Sequence, residues 1–456
     1  MKSLFLAFAL AVVPAWSEDW PAVQWPVDNT LIDWQAVDTY VFAPRDTERG
    51  GIRTDALLII RDGRILHERY AEPTRADTAH LTWSVSKSVL ATVMGVAYGE
   101  GHFQLGDPAS RYYPALQAHP TLRLADLLHW ASGLAWQEDY EYAPLKSSVV
   151  AMLYTRGRTD MAGYTAARPA ASAPGTQFVY SSGDSNLLAA SLRGMLAPER
   201  YAGYPWQALF TPLGIDSAVW ERDGAGTYVG SSYLYLSARD LARIGLLMQR
   251  DGRWREQQLL PAEWVAFNRT LFSAAQPVPG EANPGGHWWL NQPLPGQPVP
   301  WPDAPSNTFA ALGHWGQALY VLPTQKLVIV RYADDRDGSF SHNELLKRVL
   351  AAVAGAGGMK RVVLLLLLAV SAWAWHERQA LADFPGILSA YSAKEYCSCR
   401  FVMGFPEAYC RGYVRQYLPL GLLEEDSPRR LVTAEGLGRR NQAAWQGHRE
   451  GCRLLP

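Results

Sequence analysis

The 456-residue chain has no cysteine before Cys397 and no long run of charge of one sign. Its 42 basic and 43 acidic residues nearly cancel, which removes the basic footprint of a nucleic-acid-binding surface and leaves a small neutral or weakly charged substrate as the expected partner. The ten histidines show no zinc-ligand spacing such as His-x-x-x-His, so no metal site is expected, and nothing calls for an organic cofactor. With 48% hydrophobic and 19% charged residues the chain is globular, long enough for two domains or for one large domain with additions. Its eighteen tryptophans suit clefts that recognise apolar or flat groups as well as they suit core.

Lys2, the apolar run Leu4 to Val13, and Pro14-Ala15-Trp16-Ser17 have the layout of a secretory signal peptide, residues 1–17, cleaved after Ser17. The run is short for a membrane span, and the alternative is an uncleaved anchor. Ala56 to Ile60 and Ile65 to Tyr70 flank Arg61-Asp62-Gly63-Arg64, a strand, an Asp-Gly turn and a strand. Helical and loop signals dominate to about Pro205, including a helix from Thr121 to Trp130. Strand character returns at Tyr228 to Tyr235, and Ser237 opens a periodic helix through Met248. The proline-loaded span Gln276 to Pro305 reads as a surface loop with one short strand near Trp288. Ala318 to Leu322 and Lys326 to Tyr332 form a second hairpin, and Ser341-His342-Asn343-Glu344 caps a helix through Val353. This order predicts an α/β (α+β) domain over residues 18–355: a sheet whose first and last strands meet, flanked by helices, with a helical insertion.

A second pattern begins at Met359. After the glycine-rich Ala354 to Gly358 come Met359-Lys360-Arg361, the apolar run Val362 to Val370 and Ala372-Trp373-Ala374, the layout of a second signal peptide with an Ala-x-Ala site. All four cysteines, Cys397, Cys399, Cys410 and Cys452, follow it, which points to a small disulfide-stapled domain over residues 376–456; metal binding by Cys397 and Cys399 is the alternative. Residues 356–375 then read as a linker and signal-like segment joining a separately exported small protein to the first domain. The competing reading is membrane attachment through residues 362–375, which places Lys360 and Arg361 on the outer side, against the positive-inside tendency.

Chemistry concentrates in Ser84-Val85-Ser86-Lys87, a Ser-x-x-Lys that runs into the apolar segment Val89 to Tyr98. Three residues is nearly one helical turn, so the Ser84 hydroxyl and Lys87 amine share a face, where a neighbouring base and a helix N-terminus both favour the alkoxide. Two further stretches are Tyr180-Ser181-Ser182, on a loop before an apolar helix, and His314-Trp315-Gly316-Gln317, at the entry of a strand.

Taken in order, these resemble the serine β-lactamase and penicillin-binding-protein superfamily: Ser-x-x-Lys, then Tyr-x-Asn, then Lys-Thr-Gly or His-x-Gly. The resemblance covers about residues 30 to 355 and is closest to the branch of class C β-lactamases, serine esterases and 6-aminohexanoate-dimer hydrolases, with Trp136 to Tyr140 leaning toward the last. It implies a β-lactamase-like fold, an acyl-enzyme on Ser84, and acid and base work shared by Lys87 and Tyr180. It also implies an oxyanion hole from the Ser84 and Gln317 amides, with Ser182, His314, Trp315 and Gly316 toward substrate. Two departures weigh against penicillin as substrate. The asparagine of the second motif is Ser182, and the third motif places His314-Trp315 where β-lactamases have Lys-Thr. Trp315, with Trp288 and Trp289, suggests an acyl pocket for an apolar or linear chain. The sequence is thus read as an exported, periplasmic or secreted serine hydrolase of esters or unstrained amides. The alternatives are a β-lactamase or D-amino-acid peptidase acting on cell-wall peptides, and a non-catalytic ligand-binding protein on the same fold.

Overall fold

The computed structural model describes residues 20–21, 24–44, 50–140, 146–275, 282–355, 373, 375–376, 378–415, 418–447 and 451–455. The signal-peptide segment 1–17 and the apolar run 362–370 lie outside these residues. Among the described residues no helix is long and apolar enough to cross a membrane. The chain divides into two compact units, Met1–Ala356 and Gly357–Pro456.

The first unit is organised by a seven-stranded antiparallel sheet. Its spatial order is Arg64–Tyr70, Thr54–Arg61, Leu327–Ala333, Gln317–Leu322, Phe309–Gly313, Trp289–Leu290 and Asn283–Pro284. The first hairpin turns at Asp62 and Gly63, whose φ values of 51° and 83° match the twist of the flanking strands. Strand Thr54–Arg61 then pairs with Leu327–Ala333, so the first and last long strands meet as the element order predicts. Both strands are apolar at nearly every position because both sheet faces are covered. Ala56, Leu58, Ile60, Val328 and Val330 pack with the helices Val85–Gly99 and Ala238–Gln249. Leu57, Ile59, Leu327 and Ile329 pack with Val37, Val41, Leu345 and Val349, from helix Gln35–Val41 and the helix at 342–355. Helices between residues 109 and 213 supply the insertion.

Three local expectations change. The strand expected at Tyr228 to Tyr235 shrinks to Leu234–Leu236, in a small sheet with His80–Leu81 and Val219–Trp220. The cause is close packing: a Cβ on Gly230 would lie 2.6 Å from Leu90 Cδ2 and 2.9 Å from the Ser185 carbonyl oxygen, so this stretch runs against two helices and not within a sheet. The helix expected at Thr121 to Trp130 is only Leu124–Leu128. The proline-rich stretch carries two short strands, Asn283–Pro284 and Trp289–Leu290, where one was expected; beyond them it is the expected surface loop, with Pro293, Pro295, Pro298 and Pro302 exposed and Trp301 tucked in at 2% exposed. Asn291 makes that burial tolerable: its Nδ2 lies 2.9, 3.2 and 3.1 Å from the carbonyl oxygens of Trp301, Ala304 and Pro305, and its Oδ1 accepts from the Trp301 amide at 2.7 Å.

In the second unit, helix Arg378–Cys397 packs on a four-stranded antiparallel meander, Leu422–Asp426, Leu431–Gly436, Arg439–Gly447 and Gly451–Leu454. Its core of Ala393, Tyr396, Val414, Val432, Ala434 and Ala443 is small. Disulfides Cys397–Cys452 and Cys399–Cys410 supplement it, the usual remedy where apolar burial is limited. With all four sulfurs bonded, Cys397 and Cys399 have no thiolate to offer a metal, and that alternative is set aside.

The helix Ala238–Gln249 lies so close to the sheet that a Cβ on Gly245 would meet Val328 Cγ1 at 2.5 Å and Leu319 Cδ1 at 2.7 Å. Alanine gains roughly 1 kcal/mol of helix propensity over glycine, whereas forcing a methyl into a filled core costs about 1–3 kcal/mol. Gly245→Ala is therefore expected to lower the urea midpoint followed by tryptophan fluorescence; a raised midpoint would mean that this contact relaxes freely.

Candidate active site

Ser84 is the N-cap of helix Val85–Gly99. Its approach is fixed by Trp83, held at φ 49°, and by two hydroxyls: Thr82 Oγ1 donates to the Leu234 carbonyl at 2.9 Å and Ser86 Oγ to the Trp83 carbonyl at 2.7 Å. The amides of Val85, Ser86 and Lys87 fold back onto Thr82, Trp83 and Ser84, whereas the Ser84 amide donates to no backbone or side-chain acceptor among the described residues. One turn on, Lys87 Nζ lies 2.8 Å from Ser84 Oγ and donates to the Ser231 carbonyl at 2.9 Å. Lys87 is 1% exposed. Burial pulls its pKa down to about 8, against the opposing pull of the Glu138 charge.

Tyr180 presents its ring to Lys87, with Nζ 5.0 Å from the ring centroid. The ring is held by Trp130 and Trp289, at centroid separations of 5.1 and 5.4 Å. Behind Trp130, stacked at 4.4 Å, His287 donates from Nδ1 to the Leu128 carbonyl at 2.7 Å and accepts at Nε2 from the Ser185 hydroxyl at 2.9 Å. Burial drops the His287 pKa to about 3, so this ring is a neutral strut. Beside it Asp184, whose pKa burial raises to about 7, accepts from the Ser132 hydroxyl at 2.7 Å and the Ser132 amide at 3.2 Å.

Ser182 is not where a substrate contact belongs. It is 0% exposed, and its hydroxyl donates to Glu138 Oε1 at 2.5 Å while its amide donates to Oε2 at 3.0 Å. Trp136 Nε1 donates to the same Oε2 at 2.6 Å. The expected asparagine is found one helical turn later: Asn186 Nδ2 lies 3.2 Å from Ser231 Oγ and Asn186 Oδ1 accepts from the Ser231 amide at 3.3 Å. Its amide thus positions the loop whose carbonyl receives Lys87.

His314, Trp315 and Gly316 form the turn between strands Phe309–Gly313 and Gln317–Leu322. A Cβ on Gly313 would stand 3.1 Å from the Ser84 amide nitrogen, so the mouth of this hairpin abuts Ser84. The Gln317 side chain braces the turn by donating to the His314 and Ala333 carbonyls at 3.1 and 2.5 Å. At Gly316, φ is 88° and a Cβ would meet Asp335 Oδ2 at 2.2 Å and Arg331 Nη1 at 2.4 Å. Arg331, fully buried, pairs with Asp335 and donates to the Gly316 carbonyl at 3.2 Å. His314 and Trp315 join Trp83, Tyr140 and Tyr233 in an aromatic collar beside Ser84, with Trp83 centroid separations of 5.5, 5.3, 6.3 and 6.3 Å. Trp288 instead packs on Phe309 in the core at 5.4 Å, and Trp289 backs Tyr180; neither fits the expected acyl pocket.

Sequence reading thus missed Trp83, Glu138, Tyr140, Asn186, Ser231, Tyr233 and His287. Trp83 was in view as the neighbour of Ser84, Asn186 stands one turn beyond Ser182 on the same helix, and Glu138 and Tyr140 lie in the stretch Trp136 to Tyr140 noted by resemblance; Ser231, Tyr233 and His287 return to the site from loops that no local pattern announces. Among the described residues no cluster of histidine, cysteine and carboxylate side chains could hold a metal ion.

Comparison with known proteins gives concordant findings. The model of the family described as Beta-lactamase matches residues 37–354. A 6-aminohexanoate-dimer hydrolase of Paenarthrobacter ureafaciens is 25% identical over 317 residues, which are 63% of this chain and 74% of the relative. Among solved structures, a candidate 6-aminohexanoate-dimer hydrolase from Bacillus anthracis superposes with a TM-score of 0.56 at 19% identity, over 75% of this chain and 89% of that one. EstCE1, a hydrolase with promiscuous acyltransferase activity, gives 0.54 at 16% identity, over 69% and 96%. At such identities the structural likenesses establish the fold.

The turn at Gly316 rests on the Arg331–Asp335 pair. Asp335→Ala leaves a fully buried guanidinium without its counter-charge and is expected to destabilise the first unit by about 3–5 kcal/mol. Lys347→Ala, at an exposed position away from this turn, should stay within about 0.5 kcal/mol. Parallel urea titrations decide this, and equal midpoints for the two variants would show the pair to be dispensable.

Proposed function

The chain belongs to the β-lactamase family of serine hydrolases, and we propose that its first unit cleaves an ester or an unstrained amide of a small molecule through an acyl-Ser84 intermediate. The observation that carries this is the 2.8 Å contact between Ser84 Oγ and a wholly buried Lys87. A lysine with a pKa of about 8 has a substantial neutral fraction near neutral pH, and its lone pair then takes the Ser84 proton as Oγ attacks the carbonyl carbon. The Ser84 amide, which meets no other acceptor among the described residues, and the Gln317 amide at the abutting hairpin are the donors for the resulting oxyanion. Collapse of the tetrahedral species expels the alcohol or amine, which receives its proton from the Lys87 and Tyr180 pair. Water then attacks the acyl group, the same pair accepts its proton, and Ser84 is released.

The choice of substrate follows from the collar. His314 and Trp315 offer no ammonium for the carboxylate of a β-lactam, and the aromatic faces of Trp83, Tyr140 and Tyr233 suit an apolar or linear acyl chain. The relation to a protein named for hydrolysis of the 6-aminohexanoate dimer supports an amide of this kind. We also read the protein as exported: the two disulfides of the second unit are the pattern of an oxidising compartment, and the N-terminal apolar run fits a cleaved signal.

Treatment with a fluorophosphonate should add one adduct to the wild type and none to Ser84→Ala by intact mass; an unlabelled, folded wild type would favour the ligand-binding alternative. The starting mass also shows whether residues 359 to 456 remain attached. With Lys87 charged below a pKa of about 8, ester kcat/KM should rise roughly tenfold per pH unit from about pH 6 and level off above about 8. Short-chain nitrophenyl esters should be turned over faster than a chromogenic cephalosporin; comparable rates would move the β-lactamase reading to first place.

A further inference from the structure

One carboxylate in this centre has no place in the reaction just described. Glu138 leaves the segment after Leu134 and reaches the N-terminus of the 14-residue helix Ser182–Met195. There it accepts from the Ser182 hydroxyl at 2.5 Å, the Ser182 amide at 3.0 Å and Trp136 Nε1 at 2.6 Å. The site is built to hold it. A Cβ on Gly183 would lie 2.7 Å from Trp136 Cζ3, so the indole that fixes Glu138 lies flush against the helix backbone. Ser182 and Asn186 are four residues apart on one helix face. Asn186 holds Ser231, whose carbonyl takes one Lys87 hydrogen bond, while Ser182 holds Glu138. A single helix face therefore carries both a neutral acceptor and a negative charge toward the same ammonium.

We propose that Glu138, anchored by Ser182 and Trp136, is a positioning residue for Lys87, and that its charge sets the protonation state in which the Ser84–Lys87 pair works. The Ser182–Glu138 pair does at this place what an amide side chain would do in a Tyr-x-Asn motif, with a full charge in exchange for a dipole. The inference rests on the acyl-Ser84 reading.

The physical case is a balance of two opposed effects. Complete burial alone favours the neutral amine, and a lysine stripped of its proton at all working pH values would be a weak base and a poor proton donor to the leaving group. Among the described residues Glu138 is the carboxylate whose charge acts against that burial at Lys87. The other titratable groups facing Lys87 are Tyr180, by its ring, and His287, which burial keeps neutral. Asp184 and Tyr140 lie within the field of Glu138, and burial disfavours the charged form of each.

The test is the pH dependence of two reactions of the full chain, nitrophenyl butyrate hydrolysis and fluorophosphonate labelling of Ser84, for wild type, Glu138→Gln and Ser182→Ala, with a melting curve for each. Gln keeps the shape and removes the charge, so the acidic limb of both profiles should move down by about half a unit or more. Ser182→Ala removes an anchor and keeps the charge, so its limb should stay or move up. A role as a helix cap alone would lower the melting temperature of both variants and leave both limbs within about 0.2 units of wild type, which overturns the proposal. Should Glu138→Gln not fold, Glu138→Asp takes its place, since it keeps the charge but draws it back by one methylene: a limb moved down supports the proposal and a limb within about 0.2 units of wild type overturns it. A wild type that neither labels at Ser84 nor turns over the ester removes the hydrolase reading and this inference together, whereas a labelled wild type with unmoved limbs removes this inference alone.

Discussion

The desolvation of one ammonium group governs the design of the first unit. Lys87 is wholly enclosed, and an isolated charge in such a place is unfavourable by several kcal/mol unless it is met by hydrogen bonds and opposite charge. The fold meets it partly: one hydroxyl, one carbonyl, one aromatic face and one carboxylate held in a bracket of three donors. Full compensation would leave a lysine charged to pH 10, inert as a base. No compensation would expel the group or neutralise it outright. The partial match leaves its pKa at about 8, which suits the base role proposed for it toward Ser84.

That match requires distant parts of the chain to agree to within fractions of an ångström, and the close approaches show how they are made to do so. Gly313 brings the third motif against the Ser84 amide, Gly230 brings the Ser231 loop against the Ser84 and Ser182 helices, and Gly183 admits the Trp136 indole. In each case a methyl group would push apart two elements that the chemistry needs together. The buried Arg331–Asp335 pair works in the same direction by a different means. It is a poor source of net stability, since desolvation offsets its attraction, but it fixes the register of the turn that presents Gln317. The aromatic stack from His287 through Trp130 to Tyr180 and Trp289 sets the remaining wall.

Much of this was legible in the sequence, for identifiable reasons. Strands buried on both faces are runs of Ala, Leu, Ile and Val, and an Asp-Gly between two such runs forms a turn, so the Thr54–Tyr70 hairpin and its partner near residue 330 could be placed from composition alone. Ser84 and Lys87 lie one turn apart on the same helix, and Tyr180 and the hairpin end at Gly313 to Gln317 stand in recognisable local frames. What was not legible depends on side chains acting at a distance. The proline-rich stretch reads correctly as a surface loop, but nothing in it announces that Asn291 pins the loop down at Trp301. Tyr228 to Tyr235 reads as a strand because nothing in its own residues reveals the two helices pressed against Gly230. Glu138 lies in Trp136 to Tyr140, a stretch that the sequence marks only by resemblance, and only the fold shows that Ser182 is its partner.

The two departures from the family pattern can be understood as one change. When the second motif keeps an amide, that group can address both the lysine and a substrate carbonyl; Ser182 is too short for the latter and is turned to Glu138. When the third motif keeps a lysine and a threonine, the cleft carries a fixed cation next to the acylation centre. Here it carries His314 and Trp315, packed edge to face on Trp83. On the proposed reading Glu138 acts on Lys87 and meets no third-motif lysine, while the cation at this turn, Arg336, lies 3.2 Å over the Trp315 ring and is spent on that aromatic face. A wall built in this way suits the shape and apolarity of an acyl chain, which is why the proposed substrate is read from the collar and not from a charged subsite.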